Sequence, residues 1–202
     1  MTRPGTFGRV YAAIKEQLRG GYFRPGDRLE PAILSDQLNA SVTPVRDALH
    51  RLTGERLVEA PLHEGFRVPL LTEAMLRHLY AWHRDLVLLA IASRRRECGA
   101  DEHQALAAAG HFEFQRQNSI FLALVRMAGN PEHVTALESL VDRLEPVQRL
   151  EPLLLDALEE ETDEIIGALE ARDRARLRRA LLRYHRRRSR IVPLLLERLY
   201  SQ

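Results

Sequence analysis

Residues 31–54 read PAILSDQLNASVTPVRDALHRLTG, and this stretch decides the fold of the first third of the chain. Apolar spacing predicts a short helix over Pro31–Leu38, and an Asn-Ala turn follows it. Ser41 or Thr43 can cap a second helix, which ends at Gly54. Two short helices joined by a tight turn predict a helix-turn-helix unit.

The segments on either side complete a small domain. A helix over Phe7–Arg19 precedes the unit, because apolar residues recur there at helical spacing. Behind it, Leu57–Ala60 and Gly65–Val68 have the composition of short strands around the turn residues 61–64, which predicts a small β-hairpin. We therefore predict that residues 1–70 form a winged helix-turn-helix domain.

The rest of the chain, residues 71–202, has the pattern of long helices and predicts an all-α bundle, so the fold class is mainly α. Thr72 followed by Glu73 predicts the start of a long helix with one apolar face. The further predicted helices are Asp101–Ala109, His111–Ala128, Pro131–Leu144, Pro152–Ala171 and Asp173–Tyr200.

Composition excludes several classes of protein. A content of 45% hydrophobic and 29% charged residues is enough for a packed core and excludes a disordered tail. No apolar run approaches the roughly 20 residues that span a bilayer, and the first residues lack the apolar stretch of a secretory signal, so we expect a cytoplasmic protein. Cys98 is the single cysteine, which rules out an internal disulfide; we expect it at a helix end rather than as a nucleophile.

The net charge of +2 conceals two segments of opposite sign. Residues 150–170 are acidic, whereas Arg172–Arg190 is rich in arginine. Such a basic run is either a nucleic-acid contact surface or the solvated face of a helix that pairs with the acidic segment before it. We favour the second interpretation.

The first 70 residues resemble the DNA-binding domain of the GntR family of bacterial transcription regulators. The resemblance rests on Pro25–Leu29, on Thr43–Leu49 with the sequence TPVRDAL, and on Gly65–Val68. The later helices, which include Gly129-Asn130-Pro131, look like the FCD-type ligand-binding domain of the FadR-like branch. The resemblance implies a homodimer that reads a short palindromic operator in double-stranded DNA. It also implies a helical domain that binds a small metabolite, often beside a metal ion.

The residue types at the start of the second helix suit DNA. A recognition helix enters the major groove by its N-terminal end, where short polar side chains and an arginine reach phosphates and base edges. Arg46 is the candidate for a guanine contact, and Ser41 and Thr43 are candidates for phosphate or base contacts. Alternatively, the hydroxyls serve only as caps and Arg46 pairs with Asp47 or Glu30. The complete set of expected DNA contacts is Arg28, Ser41, Thr43, Arg46, His63, Gly65 and Arg67.

This sequence departs from the family at three places near DNA. The family usually carries arginines at the positions of Ala32 and Val42, and Glu64 lies in the wing turn where a basic or neutral residue is common. Each missing phosphate contact lowers the salt dependence of binding by roughly 0.9 in the logarithmic slope. His63 and Arg67 are the cations that can compensate. We expect weak or highly selective DNA binding.

The metal site of the branch is replaced in this chain. Metal-binding members carry one aspartate and three histidines, and aligning on the quoted motifs puts Gln117, Phe121, Thr162 and Tyr184 at those positions, with His185 one residue away. None of the four is a good metal ligand, so we predict no metal and no other cofactor.

The residues that remain predict either a ligand pocket or a filled core. If they form a pocket, the polar side chains that would bind an uncharged or amphipathic effector are His83, Gln117, Thr162 and Tyr184. No phosphate-binding glycine loop or nucleophile–base spacing accompanies the charged residues, so we predict no catalytic residues and no enzyme. The alternative function is a DNA-binding or partner-binding scaffold that has lost effector control.

Overall fold

A computed structural model of the chain describes residues 5–93 and 113–201. These residues are mainly α-helical, which confirms the predicted fold class. The chain divides into two compact units, Met1–Leu71 with Leu199–Gln202, and Thr72–Arg198. The predicted helix Asp101–Ala109 and the predicted helix end at Cys98 lie outside the described residues.

The first unit contains three helices, α1 (Thr6–Arg19), α2 (Pro31–Gln37) and α3 (Val42–Gly54), each within one residue of its predicted end. Both α1 and α2 pack against α3. The three helices enclose one apolar core, since their inward side chains are almost completely removed from water. The buried residues of this core are Val10, Ile14, Leu18, Leu29, Leu34, Val45, Ala48, Leu49, Leu52, Leu57, Val58 and Phe66.

The predicted β-hairpin of the wing is wrong. Among the described residues the wing contains only isolated antiparallel bridges, which join Arg67 to Glu59 and to Arg28. Glu59 and Arg67 exchange both backbone hydrogen bonds, at 2.8 and 2.9 Å, but the N–H of Leu57 donates to Leu52 O and still belongs to the end of α3. Pro61 has no N–H to offer. One paired residue therefore remains where two strands were predicted.

The second unit contains the long helices of the chain. These are α4 (Glu73–Ser93), α5 (Glu113–Met127), α6 (Pro131–Gln148), α7 (Leu158–Glu170) and α8 (Arg174–Tyr200), with a single 3₁₀ turn at Glu151–Leu153. The predicted start of α4 is confirmed, because the Thr72 hydroxyl accepts a hydrogen bond from the N–H of Met75 at 3.2 Å. Asn130 caps α6 in the same way, accepting from the N–H of Glu132 at 3.0 Å.

Two predicted helix ends in this unit are wrong. The helix predicted from Pro152 begins only at Leu158, because Ala157 has the left-handed conformation with φ of 49° and interrupts the regular backbone. The helix predicted to end at Leu144 continues through Pro146 to Gln148. Val147 and Gln148 are buried, so packing of this last turn offsets the hydrogen bond that proline removes.

None of the described helices combines the length and the apolar character needed to cross a bilayer.

Candidate functional site

The N-terminal end of α3 is an open polar surface. Ser41 occupies the N-cap position, but its hydroxyl makes no cap hydrogen bond, and Thr43 and Arg46 are exposed beside it. No hydrogen bond or ion pair joins Arg46 to Asp47, to Glu30 or to any other residue that the structure describes. The structure therefore contains neither of the two alternatives: Ser41 does not cap α3, and Arg46 does not pair with Asp47 or Glu30. All three polar groups remain available to a partner.

The two positions that lack the family's arginines are also on the surface. Ala32 is exposed on α2 and Val42 is 39% exposed at the first residue of α3. An arginine at either position would reach solvent without disturbing the core. Their absence therefore removes positive charge from this surface and costs nothing in packing.

An arginine of α1, which the sequence analysis missed, holds the turn between α2 and α3. Arg9 donates from Nη1 to Leu38 O at 2.7 Å and from Nη2 to Asn39 O at 3.2 Å. Asn39 has a φ of 50°, a left-handed conformation that asparagine tolerates better than most residues. Arg9 thus satisfies carbonyls at the end of α2 and fixes the direction in which α3 leaves the turn. The sequence contained one signal for this role. Arg9 directly precedes the buried Val10, so it lies at the edge of the α1 face that packs against α3.

The wing carries its cation in a paired state. Arg67 donates from Nε to Glu59 at 3.0 Å and from Nη1 to Glu64 at 3.2 Å. His63 and Gly65 form the wing turn with positive φ angles of 64° and 78°, and both are exposed. Arg28 is exposed, with its main chain beside that of Arg67. The two glutamates therefore offset the charge of Arg67.

A buried cluster of polar side chains lies inside the second unit around Arg188. This arginine is fully buried and donates to Glu151 at 2.9 Å, to Glu161 at 2.7 Å and to the side-chain oxygen of Gln117 at 3.2 Å. Its guanidinium carbon also lies 3.3 Å from the centre of the Tyr184 ring. Burial alone would lower the pKa of Arg188, but the two carboxylates outweigh it and raise the pKa, so the side chain stays cationic.

The cluster connects four helices and the 3₁₀ turn of the second unit. Gln117 of α5 donates to the hydroxyl of Thr162 on α7 at 2.8 Å, and that hydroxyl donates to Leu158 O at 2.9 Å. Tyr80 of α4 donates to Glu151 at 2.7 Å. Arg188 comes from α8. Since the polar groups satisfy one another, the cluster ties α4, α5, α7 and α8 together.

The other two predicted effector residues lie in an aromatic group beside this cluster. The rings of His83 and Tyr184 each contact the ring of Phe121, with centroids 5.0 and 4.9 Å apart. His83 Nδ1 lies 2.8 Å from His185 Nε2. The four predicted effector-binding residues therefore lie in two adjoining groups, Gln117 and Thr162 in the polar cluster and His83 and Tyr184 among the aromatic rings. Both Tyr184 and His185 are buried.

The protonation of the histidine pair follows from its hydrogen bonds. Burial lowers the pKa of His185 to about 3 against the opposing hydrogen bond to Leu181, and burial together with His185 holds the pKa of His83 well below its usual range, so both rings are neutral. His185 Nδ1 must carry its proton, because it lies 2.7 Å from the carbonyl of Leu181. His185 Nε2 then accepts from His83 Nδ1–H, which leaves His83 Nε2 as an unprotonated acceptor.

His83 Nε2, in this aromatic group, has no hydrogen-bond partner in the part of the chain that the structure describes. An unpaired buried polar group costs roughly 1–3 kcal/mol. An additional hydrogen bond to this atom would therefore stabilise the second unit.

The donor set at the four aligned metal positions does not fit a metal ion. An amide, a phenyl ring, a hydroxyl and a phenol occupy them, and Arg188 places a permanent positive charge against Gln117 and Tyr184. Within residues 5–93 and 113–201, no group of three or more histidine, cysteine, aspartate or glutamate side chains could hold a metal ion.

The arginine-rich segment is partly paired with the acidic segment before it. Arg183 contacts Glu164 at 2.9 Å, and Arg187 contacts Asp156 at 2.9 Å and Glu161 at 3.2 Å. This pairing is the interpretation that the sequence analysis favoured. Arg183 and Arg187, like Arg188, therefore serve contacts within the second unit.

Comparison with known proteins gives its clearest match in the first unit. Residues 6–68 match the family model described as "Bacterial regulatory proteins, gntR family". The HTH-type transcriptional regulator McbR of Escherichia coli is 35% identical over 79 residues, which are 39% of this chain and 36% of McbR. The Nta operon transcriptional regulator of Aminobacter aminovorans is 33% identical over 98 residues, 48% of this chain and 45% of that protein.

The likeness extends over the whole chain only at the level of fold. The HTH-type transcriptional repressor GlaR of Escherichia coli is 30% identical over 97 residues, which cover 47% of this chain and 43% of GlaR. The matched stretches thus span less than half the length of these curated relatives. The solved structure of E. coli McbR/YncC superposes with a TM-score of 0.74 over 95% of this chain and 99% of its own, at 23% identity.

Proposed function

We propose that this chain is a cytoplasmic transcription regulator that reads a short palindromic operator as a homodimer, because residues 6–68 match the family model described as "Bacterial regulatory proteins, gntR family". The observation that carries the proposal is the exposed end of α3, where Arg46 lies free of any described partner. We propose repression as its mode of action. The printed name of the relative GlaR, a transcriptional repressor, supports this choice.

The contacts follow from the chemistry of this surface. The fork of Arg46 matches the two acceptors of guanine in the major groove. The uncapped hydroxyls of Ser41 and Thr43, and the free amides of the first turn of α3, suit phosphate oxygens. Arg28, His63, Gly65 and Arg67 form the second, wing-side part of the proposed contact surface.

Selection of DNA by the purified protein tests this function. Sheared genomic DNA of the source organism, passed over the immobilised protein at moderate salt, should yield fragments that share an inverted repeat with half-sites about one helical turn apart. Protection of that repeat in a footprint would then map the operator. Retention of fragments without a shared sequence would contradict specific reading, and absence of any retention at low salt would contradict DNA binding itself.

The paired state of Arg67 predicts that the wing restrains DNA binding. Glu64→Gln removes one negative charge near the phosphates and releases Arg67 from one of its two carboxylates. We expect roughly 0.2–1 kcal/mol of tighter binding, or about 1.5- to 5-fold in Kd, because the contact is exposed. Fluorescence anisotropy with the selected operator measures it.

The matched control for this substitution is Glu138→Gln. It breaks a comparable exposed ion pair, with Arg126 at 2.8 Å, in the second unit and should leave DNA affinity unchanged. Equal affinities of the Glu64→Gln variant and the original protein would show that the wing lies away from the phosphates.

For the second unit we propose binding of an uncharged or amphipathic metabolite without a metal. The supporting observation is the unpartnered nitrogen of a buried ring, His83 Nε2. Since His83 Nε2 can only accept, the ligand that fits it offers an O–H or N–H donor. Gln117 and Thr162 line the adjoining group, where a ligand would exchange hydrogen bonds with the cluster.

A thermal-shift screen with small hydroxyl- and amide-bearing metabolites tests effector binding. A true ligand should raise the melting temperature by a few degrees and change operator affinity. His83→Phe keeps an aromatic ring but removes the acceptor, so it should abolish the shift while DNA binding persists. A shift that survives in this variant would place the ligand elsewhere.

One observation favours a second candidate function, a DNA-binding scaffold without effector control. The groups around Arg188 already satisfy one another, so this part of the interior needs no ligand. A screen in which no metabolite changes both stability and operator affinity would support the scaffold.

The donor set predicts that the fold is independent of transition metals. Purified protein should carry no stoichiometric zinc, nickel or manganese, and excess chelator should leave its melting temperature unchanged, because no metal-binding free energy supports the fold. Elemental analysis and calorimetry give the two readouts. One metal per chain, lost together with several degrees of melting temperature, would contradict the proposed site composition.

A further inference from the structure

The outward face of α4 carries a stripe of exposed apolar side chains. Met75, Trp82 and Leu89 are 38%, 50% and 45% exposed, although all three are large and apolar. They are spaced seven residues apart, so they lie on one line along the helix, with about 10.5 Å between successive members. His78 and Asp85 lie beside this line, three residues after Met75 and Trp82, and are also exposed.

The opposite face of α4 is already used within its own unit. Its inward residues are buried against α5 and α6. An exposed seven-residue repeat on the remaining face is the pattern of a helix that packs against a second helix. A tryptophan at the centre of such a patch is the residue type that contributes most to protein interfaces.

We propose that this α4 stripe packs antiparallel against the α4 stripe of a second copy of the chain, across a two-fold axis beside Trp82. Under that symmetry Met75 lies seven residues before the axis and meets Leu89, which lies seven residues after it. The inference rests on the homodimer of the proposed function and names its surface.

The polar residues of the stripe favour the antiparallel arrangement, because an imidazole can donate a hydrogen bond to a carboxylate. It brings His78, four residues before Trp82, close to Asp85 of the other copy, three residues after Trp82. In a parallel arrangement each Asp85 would instead face the same carboxylate of the other copy. Arg84, which pairs with Asp85 at 2.9 Å, extends the polar edge of the stripe. The stripe is therefore complementary to itself in one orientation.

Light scattering at micromolar concentration tests the surface. The original chain should give about twice its mass of 23.2 kDa, whereas Trp82→Glu should give the single mass. Leu153→Glu is the control, because Leu153 is 65% exposed and apolar but lies outside α4. A dimeric Trp82→Glu variant would overturn the inference and leave the proposed DNA function intact. A monomeric original chain would overturn both the surface and the proposed homodimer.

Cysteine cross-linking tests the orientation without removing Trp82. In a Cys98→Ser background, a mixture of Met75→Cys and Leu89→Cys chains should form disulfide-linked dimers under mild oxidation, while either variant alone should not. Ala74→Cys mixed with Leu89→Cys is the control, since Ala74 is exposed but off the stripe. Cross-linking of each single variant with itself would show a parallel pair, and no cross-linking in any mixture would show that the stripes do not meet; both results overturn the inference.

Discussion

Arg188→Ala should destabilise the second unit by about 3–5 kcal/mol, the cost of removing one partner from a buried ion pair. The substitution leaves the buried carboxylate of Glu151 without its cation and leaves Glu161 with only its longer contact to Arg187. It also removes the donor to Gln117 and the planar group that covers the Tyr184 ring. Denaturant unfolding measures the loss.

Fluorescence makes the measurement specific to this unit. Trp82 is the only tryptophan of the chain and lies on α4, so its emission follows the unfolding of the second unit. Arg183→Ala is the matched control, because Arg183 pairs with Glu164 at the surface, and exposed pairs contribute at most about 1 kcal/mol. Equal losses in the two variants would contradict the buried role of Arg188.

A compensated variant separates charge from packing. Replacing the whole network, with Arg188→Met, Glu151→Gln and Glu161→Gln together, should cost less than Arg188→Ala alone, since no charge is left unpaired. A triple variant that is less stable than the single one would indicate that packing and hydrogen bonds outweigh the charges.

Arg46→Ala should weaken operator binding by roughly 1–3 kcal/mol for each recognition helix, which corresponds to about 5- to 150-fold in Kd. The physical reason is the loss of a bidentate contact to a base edge, whose acceptors are then left without a donor. Discrimination against operators with a changed base at that position should fall as well. Anisotropy titrations at a fixed salt concentration give both quantities.

The fold should be unaffected by Arg46→Ala, because the side chain is exposed and without a described partner. Circular dichroism checks this point. Arg178→Ala, at an exposed position of α8, controls for a general loss of positive charge. An Arg46→Ala variant that binds the operator as tightly as the original chain would show that α3 is not the recognition helix.

The sequence predicted the helix-turn-helix unit well because turn residues punctuate it. Helices α2 and α3 are separated by a short turn in which Asn39 adopts the left-handed conformation, and such signals are local. The β-hairpin of the wing was predicted wrongly because its formation depends on a contact that is not visible in the local sequence. Strand composition at Leu57–Ala60 does not reveal that the end of α3 already uses the N–H of Leu57, which a ladder would need.

Arg188 was missed because arginine in an arginine-rich helix has the composition of a solvated surface. The spacing of apolar residues along α8 nevertheless indicated that Arg188 lies on the inward face. Leu181, Tyr184, Val192 and Leu195 lie on the buried face of α8, and Arg188 follows Tyr184 by four residues on the same face. What spacing cannot supply is the partner. Glu151 and Glu161 come from two other segments, and only the packed helices bring them together.

The fixed cation at the centre of the second unit has a consequence for how its stability depends on the surroundings. A dissociable ion stabilises a fold by an amount that depends on the concentration of the free ion, so the fold weakens when that ion becomes scarce. The guanidinium of Arg188 is joined to the chain and cannot be diluted, exchanged or taken up by a competing chelator. This part of the interior therefore keeps its positive charge whatever ions the surroundings supply.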